Sequence, residues 1–100
     1  MNIITQVKFS KSNSKHKKIK ATFFDKNGKR LKTTHFGAKG MSDYTIHKDT
    51  ERKQRYLNRH RKNENWNNFI SAGSLSRYIL WGKPTLRESI SDYKKKFKLY

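Results

Sequence analysis

The stretch I-K-A-T-F-F-D-K-N-G-K-R-L-K-T-T-H-F, Ile19 to Phe36, decides the fold class. Apolar and polar residues alternate through its first part, which sets Ile19, Ala21 and Phe23 on one face of a strand at a period of two and leaves Lys and Thr to solvent. Asp25-Lys26-Asn27-Gly28 follows. Asn-Gly signals a type I′ hairpin turn, because both central residues of that turn need positive φ. Leu31 to Phe36 is then the predicted returning strand.

Working outward, Ile4 to Phe9 alternates in the same way and predicts another strand. Ser10 to Lys18 (S-K-S-N-S-K-H-K-K) has no apolar residue and reads as a flexible basic loop able to order on a polyanion. On the other side, Gly37-Ala38-Lys39-Gly40 breaks the strand pattern, and the remainder reads as helix. Ser42 or Asp43 caps a first turn, and Asp49 or Thr50 caps a main helix running to about Lys62. A polar break follows around Trp66, then a short helix from Ser74 to Trp81 that Gly82 ends. After Pro84, Thr85-Leu86-Arg87-Glu88 has the form of a capping box, with Leu86, Ile90, Tyr93 and Phe97 at spacings of 4, 3 and 4 on the apolar face. The prediction is one α+β domain over residues 1–100: a small antiparallel sheet of two or three strands, built on an N-terminal β-hairpin and packed with about three C-terminal helices.

Composition narrows the function. With 25 Lys+Arg against 7 Asp+Glu the formal charge is +18 on 100 residues. Only 32% of residues are apolar, and 13 are aromatic, so the core has to be aromatic-rich. With no cysteine, a disulfide framework and a Cys-based zinc site are excluded, and a reducing, intracellular setting is expected. The longest apolar run, Tyr78 to Trp81, is far short of a membrane span, and no signal-peptide pattern opens the chain, so a soluble protein without a membrane partner is expected.

The charge falls into two sets. Arg52, Arg55, Arg59 and Lys62, at spacings of 3, 4 and 3, form one stripe along the main helix. Lys15, Lys17, Lys18, Lys20, Lys29, Arg30 and Lys32 come from the hairpin and the loop before it. Seven acids cannot neutralise these cations, and an anionic polymer would. Lys is a point charge that holds phosphate and discriminates bases poorly, so backbone binding with little sequence preference is expected. Stacking of bases on Phe36, Tyr44 or Trp66 competes with the need for aromatics in the core, and the core is the stronger claim. His16, His35, His47 and His60, with Asp43 and Asn58, admit a metal-dependent ββα nuclease. No His pair has ligand spacing for one helical turn, so no metal, cofactor or catalytic residue is assigned and a non-enzyme is expected.

H-F-G-A-K-G-M-S-D-Y-T-I-H-K-D (His35 to Asp49), R-Y-L-N-R-H (Arg55 to His60), W-N-N (Trp66 to Asn68), S-A-G-S-L-S-R-Y-I-L-W (Ser71 to Trp81) and K-P-T-L-R-E-S-I-S-D-Y-K-K-K-F (Lys83 to Phe97) recur in one order. In these motifs, covering about residues 18 to 100, the chain resembles a family of small, functionally uncharacterised basic proteins of large DNA viruses of amoebae and algae, mimivirus relatives among them. His47, Lys48, Asp49, Arg52, Tyr56, Arg59 and His60 match that pattern, which supplies no catalytic residue. The resemblance implies a viral setting, in the virion interior or the viral factory of the host cell. The expected function is therefore binding of double-stranded DNA through its phosphates, in condensation or packaging of a viral genome. A structural virion protein bridging capsid or core proteins is the alternative, and RNA is the alternative polymer. Oligomeric state is not legible.

Overall fold

Alternation and capping place the elements. A computed structural model describes residues 3–100; Met1 and Asn2 of the expected domain lie outside the described residues. Strands β1 (Gln6–Lys11), β2 (Lys17–Phe24) and β3 (Arg30–Ala38) form an antiparallel sheet in the order β1-β2-β3. In register, Phe23 lies between Val7 and Lys32, Ala21 between Phe9 and Thr34, and Ile19 between Lys11 and Phe36. Ala21, Phe23 and Phe36 are fully buried, as a period of two demands of a sheet covered on one face.

The helical half covers that face. Its elements are α1 (Tyr44–His47), α2 (Thr50–His60), α3 (Ala72–Leu75), a π-helical turn at Ser76–Leu80, and α4 (Leu86–Lys96). Each α-helix start has a side-chain cap: the Asp43 carboxylate accepts from the Thr45 N–H, Asp49 from Glu51 and Arg52, Ser71 from Ser74, and Thr85 from Glu88. The expected box is only half made: the Glu88 carboxylate accepts from the Thr85 hydroxyl, at 3.0 Å, and not from the Thr85 N–H. Sheet residues Val7, Ala21, Phe23 and Phe36 meet Leu75, Ile79, Leu80, Tyr93 and Leu99 in one core. Tyr93 is its centre: the ring packs edge-on against Phe9 and Phe97, and the buried hydroxyl donates to the Phe69 carbonyl at 2.6 Å. After Lys98 (φ +56) the chain doubles back, and Tyr100 exchanges backbone hydrogen bonds with Thr5 and Val7 beside β1.

Four other local expectations change. The loop predicted at Ser10 to Lys18 shrinks to Ser12–His16, because pairing with β2 carries β1 out to Lys11 opposite Ile19. The hairpin turn is not type I′. Of its residues only Gly28 has positive φ (+83), and the Asp25 carboxylate accepts from the N–H groups of Asn27 and Lys29, fixing a wider turn with a left-handed glycine. Gly37 does not end β3; the strand runs through it to Ala38. Leu86, expected on the core face of α4, is 41% exposed, and Ser89 is buried in that face instead. Ser89 is satisfied there, its hydroxyl accepting from the Lys83 N–H at 2.9 Å and donating to the Lys83 carbonyl at 3.3 Å.

Gly37 and Gly28 separate strain from packing. Both have positive φ, but a Cβ on Gly28 meets nothing within 4 Å, whereas on Gly37 it lies 2.6 Å from Leu80 Cδ1. Gly28→Ala is expected to lower stability by about 1–2 kcal/mol, the cost of a left-handed L-residue. Gly37→Ala is expected to lower it by about 2–5 kcal/mol, since overpacking adds to the same strain. Urea unfolding of the two variants side by side measures the difference.

Candidate nucleic-acid interface

Acids are spent on backbone and caps before any cation is considered. Asp25 holds the hairpin turn, Asp43 and Asp49 cap α1 and α2, Glu88 accepts from the capping Thr85 hydroxyl of α4, and Glu51 lies in the first turn of α2. The Arg52 N–H holds the Asp49 carboxyl below the ordinary carboxylate range; desolvation opposes it, and the Glu51 N–H and the positive charge of Arg55 add to the lowering. Among the described residues one ion pair lies within 4 Å: Lys18 Nζ to Asp43 Oδ2, at 2.7 Å. Of 25 Lys+Arg, 25 − 1 = 24 therefore have no carboxylate partner.

Three of the four residues of the expected stripe lie on α2. Arg52, Arg55 and Arg59 are exposed, while Tyr56 and Leu57 on the neighbouring face are buried. Lys62 is exposed in the turn beyond the helix, which ends at His60 with Arg61 as its cap. The three arginines cover two turns, about 10 Å of helix.

The hairpin cations do not share one surface. Lys15 in the β1–β2 loop and Lys17 at the start of β2 are exposed at one end of the sheet. Lys29 and Arg30 are exposed at the turn, at the other end of β2, about 23 Å away for eight residues of strand. Lys32 is exposed in β3 near that turn. Lys20 lies opposite His35, and the His35 ring bonds the buried Ser12 hydroxyl at 2.7 Å. Lys18 points inward: beyond Asp43 it donates to the Met41 carbonyl, leaving one of its three N–H bonds for any outside partner.

The loop end of the sheet meets α2. A cleft of about 330 Å³ opens there, with Lys17, Lys18, Arg59 and His60 on its polar walls and Tyr56 and Trp81 among its aromatic lining. Behind it the rings form a ladder. Tyr56 stacks on Trp81 at 4.2 Å and 3°, His60 lies 4.3 Å from Tyr56, and His47 lies 5.3 Å from the other side of the set at Trp81, followed by Tyr44 at 6.3 Å. Lys53 braces it, with Nζ 4.9 Å from the Tyr44 ring centre and donating to the Gly82 carbonyl at 2.6 Å; burial, with Arg77 and Lys83 nearby, lowers its pKa. The Asp49 N–H donates to His47 Nδ1, so that nitrogen is the acceptor of its ring. Arg77, half-buried, lies over the rings of Trp66 and Tyr78 at 5.2 and 4.9 Å, and desolvation lowers its pKa.

Of the stacking candidates, Phe36 is fully buried, and Tyr44 and Trp66 are half-buried beneath Lys53 and Arg77. Among the described residues no group of three or more His, Cys, Asp or Glu is placed to hold a metal ion. Nor is any helix among them long and apolar enough to cross a membrane. Sequence spacing does not reveal the cleft, because Tyr56 and Trp81 are 81 − 56 = 25 residues apart and only the fold stacks them.

The sequence model of a protein family described as a family of unknown function (DUF5754) matches residues 7–60, from β1 to the end of α2. No curated protein and no solved structure matches the chain. The matched segment contains Lys17, Lys18, Asp43, Tyr56, Arg59 and His60 of the cleft; the π-helical turn and Trp81 lie beyond it.

Burial, with the Glu64 carboxylate behind it, raises the Tyr56 hydroxyl from 10.0 to about 12. The folded state thus favours the neutral phenol: that stabilisation is complete below pH 10 and disappears as pH rises towards 12, since the unfolded chain loses its proton first. Tyr56→Phe keeps the ring and removes the titration. The stability difference between wild type and this variant is expected to change by about 2–3 kcal/mol between pH 9.5 and 12, read from urea midpoints across that range.

Proposed function

The chain belongs to the DUF5754 family of unknown function, and for this member we propose non-sequence-specific binding of double-stranded DNA through its phosphates. One observation carries the proposal: 24 of 25 Lys and Arg have no acidic partner among the described residues, and three exposed arginines stand in a row on a capped, rigid helix. A charge of +18 on one small fold repels itself, and counterions released from DNA repay its neutralisation by phosphate. Arg reads a phosphate with two parallel N–H bonds, which suits it to the helix stripe.

The layout supports two grips. Arg52, Arg55, Arg59 and Lys62, with Lys15 and Lys17 beside the end of α2, form one; Lys29, Arg30 and Lys32 at the hairpin turn form the other. Lys17 in the first and Arg30 in the second lie about 23 Å apart along β2, which corresponds to roughly seven phosphates along one strand of duplex. Lys20 adds charge between them, and Lys18 acts chiefly as an internal strut. The resemblance to small basic proteins of large DNA viruses supports a place for this binding in condensing or packaging a viral genome, with other virion proteins as further partners. RNA supplies the same phosphates and is the competing polymer in the test.

With 6–10 phosphates contacted, affinity for a duplex of arbitrary sequence is expected to fall by about 10³–10⁵ between 50 and 200 mM salt. Fluorescence anisotropy with duplex DNA, duplex RNA and heparin in competition measures this; a flat salt response, or equal displacement by heparin, overturns the proposal. Arg52→Ala with Arg55→Ala is expected to reduce the salt slope by about two and to weaken unrelated sequences alike. Loss confined to one sequence would show base readout instead.

A further inference from the structure

We propose that the cleft between α2, the π-helical turn and the loop end of the sheet is a nucleoside-phosphate site, which takes one unpaired nucleotide with its base against the His60 end of the ring ladder and its phosphate between Lys17 and Arg59. The proposal rests on the nucleic-acid reading above for the strand that presents the nucleotide, and adds to it a site that phosphate binding along a duplex does not need.

Size and lining select the ligand. About 330 Å³ is at the low end of small-molecule sites and accommodates one nucleotide, while a paired and stacked duplex is excluded. The walls are of two kinds. Lys17 and Arg59, both exposed and without acidic partners, offer charge to a phosphate, while Trp81 and Leu80, with the exposed Met41 beside them, supply apolar lining. Asp43, the one acid in the lining, does not repel a phosphate there: one carboxylate oxygen is held by Thr45 and the other by Lys18.

The ladder supplies the platform. Tyr56 stacks on Trp81 at 4.2 Å and has the tilted His60 ring at 4.3 Å, and His60 is half-buried and lines the cleft. A base placed there extends an existing stack instead of building one. A purine or pyrimidine stacks on such rings with little regard to identity, consistent with binding that ignores sequence.

The second observation is the π-helical turn. There the Trp81 N–H donates to the Ser76 carbonyl five residues back, at 3.1 Å. The extra residue in the turn brings Ser76, Leu80 and Trp81 together onto the cleft wall. π-helical turns are rare and concentrate at functional sites, because their poorer geometry persists where it positions a side chain.

The test uses the intact chain and one duplex in four forms: blunt, with a short unpaired 5′ tail, with the same tail made abasic, and blunt with free nucleoside monophosphate added. Trp66→Phe leaves Trp81 as the one tryptophan, so quenching of its emission reports a base in the cleft. The tailed duplex is expected to bind about 5- to 150-fold tighter than the blunt one and to quench Trp81. Both effects are expected to vanish with the abasic tail and in His60→Ala, and to weaken in Lys17→Ala, a surface change that leaves the ladder intact. Quenching by free nucleoside monophosphate identifies a free nucleotide as the ligand; quenching by the tail alone identifies a strand end. Equal binding of tailed, abasic and blunt duplexes without quenching overturns the cleft site and leaves phosphate binding standing. Quenching by nucleoside monophosphate with no duplex binding supports the cleft and overturns the duplex reading instead.

Discussion

The Asp43 carboxylate joins the two halves of this protein. It is 2% exposed, caps α1 through the Thr45 N–H, and receives Lys18 from the start of the central strand at 2.7 Å. A buried carboxylate left alone costs several kcal/mol, and losing one partner of such a pair costs about 3–5 kcal/mol. The bond therefore fixes where the chain can leave β3 and begin α1, and α1 in turn places Asp49 to start α2. The arginine stripe and the cleft both inherit their positions from this joint.

A second constraint is the scarcity of aliphatic residues. With 32% apolar content the chain cannot fill a core with Leu, Ile and Val alone, and rings do much of the work. Tyr93, Phe23 and Phe36 form the central layer, Phe69 and Phe97 stack at 5.2 Å on its flank, and the Tyr56–Trp81 pair extends it beneath α2. Rings bury large areas while their faces accept nearby cations, as Arg77 on Trp66 and Lys96 on Tyr78 and Phe97 show. This is how a strongly cationic sequence keeps its charges outside and still closes a core.

What can be read along the chain is what the chain decides locally. Ile19, Ala21 and Phe23 declare their face, and Asp43, Asp49 and Thr85 declare their caps, because each signal is complete within a few residues. The exposed arginines of α2 follow from spacing for the same reason. Longer-range partners change the rest. Lys11 belongs to β1 because Ile19 lies opposite, and the turn geometry is taken from Asn-Gly by the Asp25 side chain. Ser89 displaces Leu86 from the core because Lys83, across the Pro84 bend, satisfies its hydroxyl. The ladder and the π-helical turn have no signature at all in a single sequence, since they exist only where α2 packs against residues from much later in the chain.

β3 is an edge strand, and it carries a guard of charge: Arg30 and Lys32 stand exposed along it. That guard works by repulsion between copies and reaches only as far as ions allow, about 10 Å in 0.1 M salt and about 3 Å in 1 M. Concentrated salt, the condition that strips polyanions from basic proteins, therefore also disarms the strand that keeps copies of this chain from zipping together. Handling at high ionic strength trades cleanliness against colloidal stability.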